Sequence, residues 1–534
     1  MKQNIQIKQW LDLKPYDKYK KTDSYYLKLS NTVHHALIKN THTLVLRNHL
    51  PKFEIEILAC FLTSYFEDII SKTYIWSSFV DSHQKLYKKI LPFYPTEEYN
   101  HHNINLQDIC FLMWYFVNST DDDVFISPAH EFLIEISNSV CEIFIESHPY
   151  APKNKDLKSY YHLDSNETDY YVIRKKIDTI LFKTYLFYPD TVLDFRQQIT
   201  EIASEFQYDE NLIAHLNDFR DNSLHKTCTQ LLSLNGKQWL AEVIADEHPL
   251  YQDVLSISQR IKGLFLYKGQ DSENIFIQHI ESDKRFEMTK QSFDSTEMLE
   301  TIDTILQIGI VLWKDKWWFT GVFFQQPYDE DTVAKEKQSI QSRNDAGFLD
   351  HSTKKLQDLL AKHCNAFKKF NNNQLIAFLP SEKINDFYEE YIQYFNSLLS
   401  ISTKQKRQLK HIEKTRNSSN LIKGKINFEE FSESGLVFFN PKGGIEIALN
   451  VNSAFPLPNN HYFDAELSEE HIIQMMTDPS ISTELVNYCM DNCKTNLPFF
   501  DSIIGQSICN DLDFLLRYWK KEKYHTVPSL SFTD

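Results

Sequence analysis

The first glycine of this 534-residue chain is Gly236, and the whole chain holds 11. Glycine averages about 7% of residues and serves wherever a backbone needs φ > 0 or must approach a phosphate closely. The 235 residues before Gly236 cannot form a G-x-G-x-x-G fingerprint or a P-loop, because both use glycine-rich backbone to cradle phosphate. Further along, Gly263, Gly269, Gly309 and Gly321 fit neither spacing. These two kinds of nucleotide loop are excluded, and no cofactor is expected.

What the glycine-free region does carry is helical periodicity. Leu58, Phe61, Leu62, Tyr65, Phe66 and Ile69 recur at three- and four-residue spacing, as do Phe132, Leu133, Ile136, Val140, Ile143 and Phe144. Ser127 is the expected N-cap of the second helix, with Pro128 at its first position. Between them Asp108 to Val117 is apolar on nearly every side, which predicts a buried central helix. Polar residues 153–169 read as a linker, and helical stripes resume to about Arg260.

The pattern then changes. Short runs rich in strand formers occupy 263–269, 275–280 and 285–289, bounded by Gly, Asp and Ser. Ile305–Trp313 and Trp317–Gln325 flank Lys314-Asp315-Lys316 as a hairpin, so a small barrel or curled sheet is expected. Residues 327–350 read as an exposed connection. A helix, a strand at 375–379, a helix at 382–399, a hairpin around Asn440–Gly444 and further helices complete the chain. The fold class is α+β. Its segments are a helical domain (1–152), a helical extension (153–260), a small β module (261–327) and a C-terminal α/β region (328–534).

Composition sets the class of partner. With 42% hydrophobic and 24% charged residues the chain is an ordinary globular one, long enough for two to four domains. Its net charge of −17 opposes phosphate backbones and anionic membranes. Residues 1–13 lack an apolar signal core, and the best apolar run, 109–117, is under half of the roughly 20 residues a bilayer needs. Eight scattered cysteines are far below a disulfide scaffold. A cytosolic protein with no membrane contact is the expectation.

Six stretches stand out along the chain: Trp10-Leu-x-Leu-Lys-Pro-Tyr16, Thr22-Asp-x-Tyr-Tyr26, Thr63-Ser-Tyr-Phe-Glu-Asp68, Asp108-Ile-Cys-Phe-Leu-x-Trp-Tyr-Phe116, Ile310-Val-x-Trp-Lys-Asp-x-Trp-Trp-Phe319 and Leu515-Leu-Arg-Tyr-Trp519. They resemble an uncharacterised bacterial domain-of-unknown-function family. The resemblance runs over nearly the whole chain and brings no assigned activity, cofactor or catalytic residue.

Candidate chemistry is sparse, and no catalytic residue is assigned. Cys489, Cys493, Cys509 and His525 form a nominal zinc set, set against buried core thiols on a helix. His279-Ile-Glu281 and His411-Ile-Glu413 lack the downstream Pro-Cys-x-x-Cys of zinc deaminases. Asp121-Asp122-Asp123 lacks the glycine and terminal glutamate of a calcium loop. Glu67 and Asp68 among aromatics suit acid–base work if buried, with a solvated face or salt bridge as the default.

Two binding candidates remain. The basic run 404–425 includes Lys404, Lys406, Arg407 and Lys410, suited to RNA or phosphate but without aromatics for stacking. Alternation puts Trp317 and Trp318 on opposite faces of a strand. With Trp313, Lys314 and Lys316 they form either an interaction surface or a pair packed into the barrel and against the helices. The leading functional expectation is an interaction or scaffold protein that recognises another macromolecule, most simply a protein, through the β module. An enzyme whose site converges from distant residues is the alternative, with RNA contact through 404–425 the third.

Overall fold

A computed structural model describes residues 4–97, 99–100, 103–120, 125–207, 209–293, 299–349, 353–398 and 426–525. The chain divides into two compact units, Met1–Phe348 and Leu349–Asp534.

Helices build the first part of the first unit. The helix Lys52–Ser71 is buried at every residue from Ile55 to Asp68, and Leu106–Thr120 is buried from Asp108 to Asn118. Both are apolar nearly all round, the pattern of a helix enclosed on all sides. Phe61 of the first packs against Phe116 of the second at 5.3 Å between ring centroids. The polar residues on the enclosed faces turn back on their own helix. Thr63 Oγ1 donates to the Ala59 carbonyl (2.7 Å) and Ser64 Oγ to that of Cys60 (2.8 Å).

Local details depart from the sequence reading. The helix Glu131–Ser147 is capped by His130, whose Nδ1 accepts from the Phe132 amide, and not by Ser127. Pro128 instead occupies a turn closed by His130 N–H to the Ser127 carbonyl (3.0 Å), a position that suits its fixed φ. The expected linker 153–169 contains the helix Lys155–Tyr161, pinned by buried Leu157 and Tyr161. The expected connection 327–350 contains Glu330–Glu336 and Ile340–Ala346, capped by the side chains of Asp329 and Ser339.

The β module closes into a barrel of five strands: β1 (Ile261–Gln270), β2 (Asn274–His279), β3 (Arg285–Thr289), β4 (Ile305–Trp313) and β5 (Lys316–Gln326). Their order is β1-β2-β3-β5-β4, antiparallel except for one parallel bridge, Met288 to Trp317, between β3 and β5. This is the Greek-key order of the OB fold. Alternate residues Ile275, Ile277, Phe286 and Met288 fill the interior. The β4–β5 turn holds Lys314 at φ 47° and Asp315 at φ 60°, the two left-handed positions of a type I′ turn.

The second unit carries a three-stranded antiparallel sheet, β6 (Ile376–Pro380), β7 (Ser434–Asn440) and β8 (Gly444–Leu449), in that order. Phe367, Ile384 and Tyr391 from the helices Thr353–Phe370 and Ser381–Leu398 pack with Val437 and Phe439 on one face. On the other face Phe378 meets Phe455 and Phe438 meets Tyr488. Among the described residues no helix is long and apolar enough to cross a membrane.

Candidate functional site

The Trp hairpin is placed by its alternation, and both indoles are taken. Trp318 is buried beside Tyr170, Tyr171 and Trp313 on the helical side of the barrel. Trp317 points the other way and stands edge-on to Phe286 at 4.8 Å. Trp313 is also buried. Lys314 donates to the Glu167 carbonyl (2.9 Å) and pairs with Asp253 (3.4 Å), whereas exposed Lys316 has no ion-pair partner among the described residues. The hairpin is thus a joint between barrel and helices. Of the two alternatives for this hairpin, Trp313 and Trp318 follow the packed one.

Beside this joint lies a buried charge cluster that sequence reasoning missed. Asp221, on the helix Leu212–Lys226, is fully buried and accepts from Arg174 Nε (2.9 Å) and Thr320 Oγ1 (2.5 Å). Arg260, 3% exposed, donates Nη2 to Asp218 (2.8 Å). Its Nε sits 2.7 Å from Asp221 Oδ2 as an ion pair off the line of a hydrogen bond. The barrel makes room for it with glycine. A Cβ at Gly309 would stand 2.5 Å from Arg260 Nε, and one at Gly321 2.5 Å from Nη2. Glycines at 309 and 321 in strands were the legible signal, since glycine there marks a close approach.

A second buried network holds the helices together. Glu67 accepts from Lys14 Nζ (2.5 Å) and Asn154 Nδ2 (2.9 Å), with Lys14 3.6 Å from the Trp10 ring centre. Asp23 accepts from Trp10 Nε1 and Tyr16 OH, both at 2.8 Å. Asp68 accepts from the Trp76 amide (2.7 Å), Tyr185 OH (2.9 Å) and the Thr73 hydroxyl. Asp108 accepts from Tyr65 OH (2.7 Å), Tyr99 OH (2.8 Å) and Asn105 Nδ2 (3.1 Å). Burial raises the carboxyls of both Asp68 and Asp108, the latter to about 6, against the pull of these donors.

Of the two default readings, Glu67 takes the salt bridge, to Lys14, and the solvated face is corrected: Glu67 and Asp68 are both internal. A void of about 10 Å³ beside Lys14, Ser64, Asp68 and Tyr185 has room for about one water. Sealed carboxylates saturated by donors from distant segments act as fasteners between helices. Four of the six motifs carrying the family resemblance supply members of this network, through Trp10–Asp23, Lys14–Glu67 and Tyr65–Asp108.

The remaining sequence candidates do not assemble into a site. Cys489 and Cys493 are buried on the helix Thr483–Cys493, with Cys489 Sγ donating to the Ala454 carbonyl (3.1 Å). Cys509 is half-buried and His525 exposed. Among the described residues no three His, Cys, Asp or Glu side chains gather closely enough to hold a metal ion. His279 Nδ1 pairs with Ser282 Oγ (2.8 Å) within a turn. Lys404, Lys406, Arg407, Lys410, the His411–Glu413 triplet and Asp121–Asp123 lie outside the described residues.

The barrel's outer surface at β1 and β2 presents a different feature. Gly269, at φ 121°, lies opposite Phe276 in the β1–β2 register, so β1 puts no side chain beside that ring, while Glu287 of β3 pairs with Phe276 on its other side. Phe276 points outward between interior Ile275 and Ile277 and is half-buried. Ile302, 53% exposed, brings its Cδ1 to 3.7 Å from where a Gly269 Cβ would be. The result is an apolar step. Around it lie exposed Arg285 and Glu287 on β3 and the ion pair Lys268–Asp303 (2.5 Å).

No curated protein and no solved structure matches the chain. A family match reaches the helical region and the first three strands, and the motifs at Ile310–Phe319 and Leu515–Trp519 lie beyond it. On that match, over residues 4–295, the chain belongs to the family described as protein of unknown function (DUF3843).

Proposed function

We propose that this chain is a protein-binding protein whose barrel recognises a polypeptide at the apolar step of Phe276, Gly269 and Ile302. The observation that supports the reading is a half-buried aromatic and an exposed aliphatic flanking a glycine floor, ringed by mixed charge. Such a composition, aromatic centre and polar rim, is that of interaction hot spots. Lys268, Arg285, Asp303 and Glu287 sum to no net charge, so the rim offers nothing to a phosphate backbone. By analogy with the fold class alone, OB barrels take ligands on their second and third strands.

The test compares capture from a lysate by the wild type and by Phe276→Asp and Ile302→Asp in mild salt. A protein recovered by the wild type should be lost from both variants at unchanged melting temperature. Recovery of the same proteins by all three, or of none by the wild type, refutes this reading.

A further inference from the structure

The two edges of the second unit's sheet are treated differently. In β6, the bonds Phe439 N–H to Leu375 O (2.9 Å) and Ser381 N–H to Glu433 O (3.0 Å) turn the odd-numbered residues toward β7. By the alternation of an antiparallel ladder, Ile376, Phe378 and Pro380 then face outward. That edge is guarded. Pro380 has no N–H to offer, and the Ile376 carbonyl is occupied by Asn371 Nδ2 (3.0 Å).

Among the described residues the opposite edge carries no such device. The same alternation turns the even-numbered residues of β7 toward β8, so Asn440–Gly444, Phe438–Glu446 and Leu436–Ala448 are the bonded pairs. Ile445, Ile447 and Leu449 therefore direct their N–H and C=O groups away from the sheet, and among the described residues none of these groups is hydrogen-bonded. Their side chains are half-buried against the Phe367–Tyr391–Phe439 core, so the row is rigidly held. It contains no proline and no charge. Glu446, the one charged residue of β8, is engaged by Ser482 N–H (2.8 Å), Ser482 Oγ (2.5 Å) and Asn440 Nδ2 (3.2 Å).

An edge left unguarded beside one that is guarded points to a strand that receives another. We propose that the β8 edge docks an extended peptide segment of a partner protein, added antiparallel as a fourth strand. Three outward residues pair over too short a row for a second copy. Such a contact falls far below the ~1,200 Å² that stable interfaces bury, and it would bring together two chains of net charge −17. A short peptide meets neither obstacle. Residues opposite Ile445, Ile447 and Leu449 share their face and are apolar, and basic residues between them complement the acidic chain.

The probe is a fluorescein-labelled (Lys-Val)4 peptide, read by anisotropy against the full chain. Saturable binding is expected, at least tenfold weaker in Ile447→Pro, which deletes one outward N–H and leaves the β7 ladder intact. Ile447→Val should bind within twofold of wild type. The same peptide with alternate N-methyl groups, and a (Glu-Val)4 peptide, should each bind at least tenfold more weakly; the N-methyl arm keeps the test sound if Ile447→Pro fails to fold. Phe276→Asp should bind the peptide like wild type, which separates this edge from the barrel site. Absence of saturable binding overturns the proposal, as does equal binding by the N-methylated peptide. A concentration-dependent dimer lost in Ile447→Pro assigns the edge to a second copy and overturns it as well.

Discussion

Replacing Asp221 by alanine is expected to break the joint between barrel and helices. The substitution removes the acceptor of Arg174 Nε, of the Thr320 hydroxyl and of the Arg260 ion pair. The Arg174 side chain is 28% exposed and can rehydrate, whereas that of Arg260 is 1% exposed and cannot. Removing one partner of a buried pair typically destabilises by about 3–5 kcal/mol. Asp218 still holds Arg260 Nη2, so the lower end, ~3 kcal/mol, is expected here. With a urea m-value of roughly 3 kcal/mol/M the unfolding midpoint falls by about 1 M.

Tryptophan fluorescence reports on this region directly, because Trp313 and Trp318 are buried at the same joint. Two companions sharpen the reading. The double replacement Asp221→Leu with Arg260→Met should recover most of the loss, since an apolar pair of similar volume is often neutral to stabilising. Gly309→Ala should destabilise by about 1–3 kcal/mol in the wild type, through the clash with Arg260 Nε, and lose most of that effect beside Arg260→Ala. If Asp221→Ala and Arg260→Met combine additively within ~0.5 kcal/mol, the two side chains are not coupled and the reasoning fails.

Two further outcomes concern pH. Asp108 titrates near 6 when folded and near 3.9 when unfolded, so the folded state gains a proton first and this site adds stability as pH falls from about 6 to 4. Asp108→Asn should abolish that contribution and steepen the net acid loss of stability in the window, seen in urea midpoints at pH 4, 5, 6 and 7. Lys520 is fully buried, donates to the carbonyls of Met475 (3.0 Å) and Asp478 (2.7 Å), and is lowered by burial to about 7. Between about 7 and 10 the unfolded chain holds the extra proton, so stability should rise with pH by at most ~1.4 kcal/mol per unit. Lys520→Met should flatten that rise; an unchanged slope assigns it to other groups.

How much was legible can be argued element by element. The enclosed helix at Asp108–Val117, the Lys314-Asp315 hairpin and the β7–β8 hairpin followed from local pattern, because apolar period and turn residues act over a few positions. The helix Lys155–Tyr161 was hidden: its polar sequence is held by two buried residues, Leu157 and Tyr161, whose partners lie elsewhere in the chain. The apolar step was not visible, since Ile302 lies far along the chain from Phe276 and nothing local announces that they share a surface.

By itself the sequence determined that the first 235 residues could not build a glycine-lined phosphate loop, that they would be helical, and that a β module would follow. Those are local matters, decided by backbone freedom and by the spacing of apolar residues. Only the tertiary structure decided what the glycines of the β module are for. Gly309 and Gly321 clear space for the Arg260 guanidinium, and Gly269 leaves a floor between Phe276 and Ile302. It also decided the fate of the charges. Glu67, Asp68, Asp108, Asp221 and Arg260 look like surface residues one at a time, and become internal because partners from distant segments, donors for the carboxylates and carboxylates for Arg260, satisfy them together. Burial of a charge depends on partners that meet only after folding, so no single-chain pattern carries it.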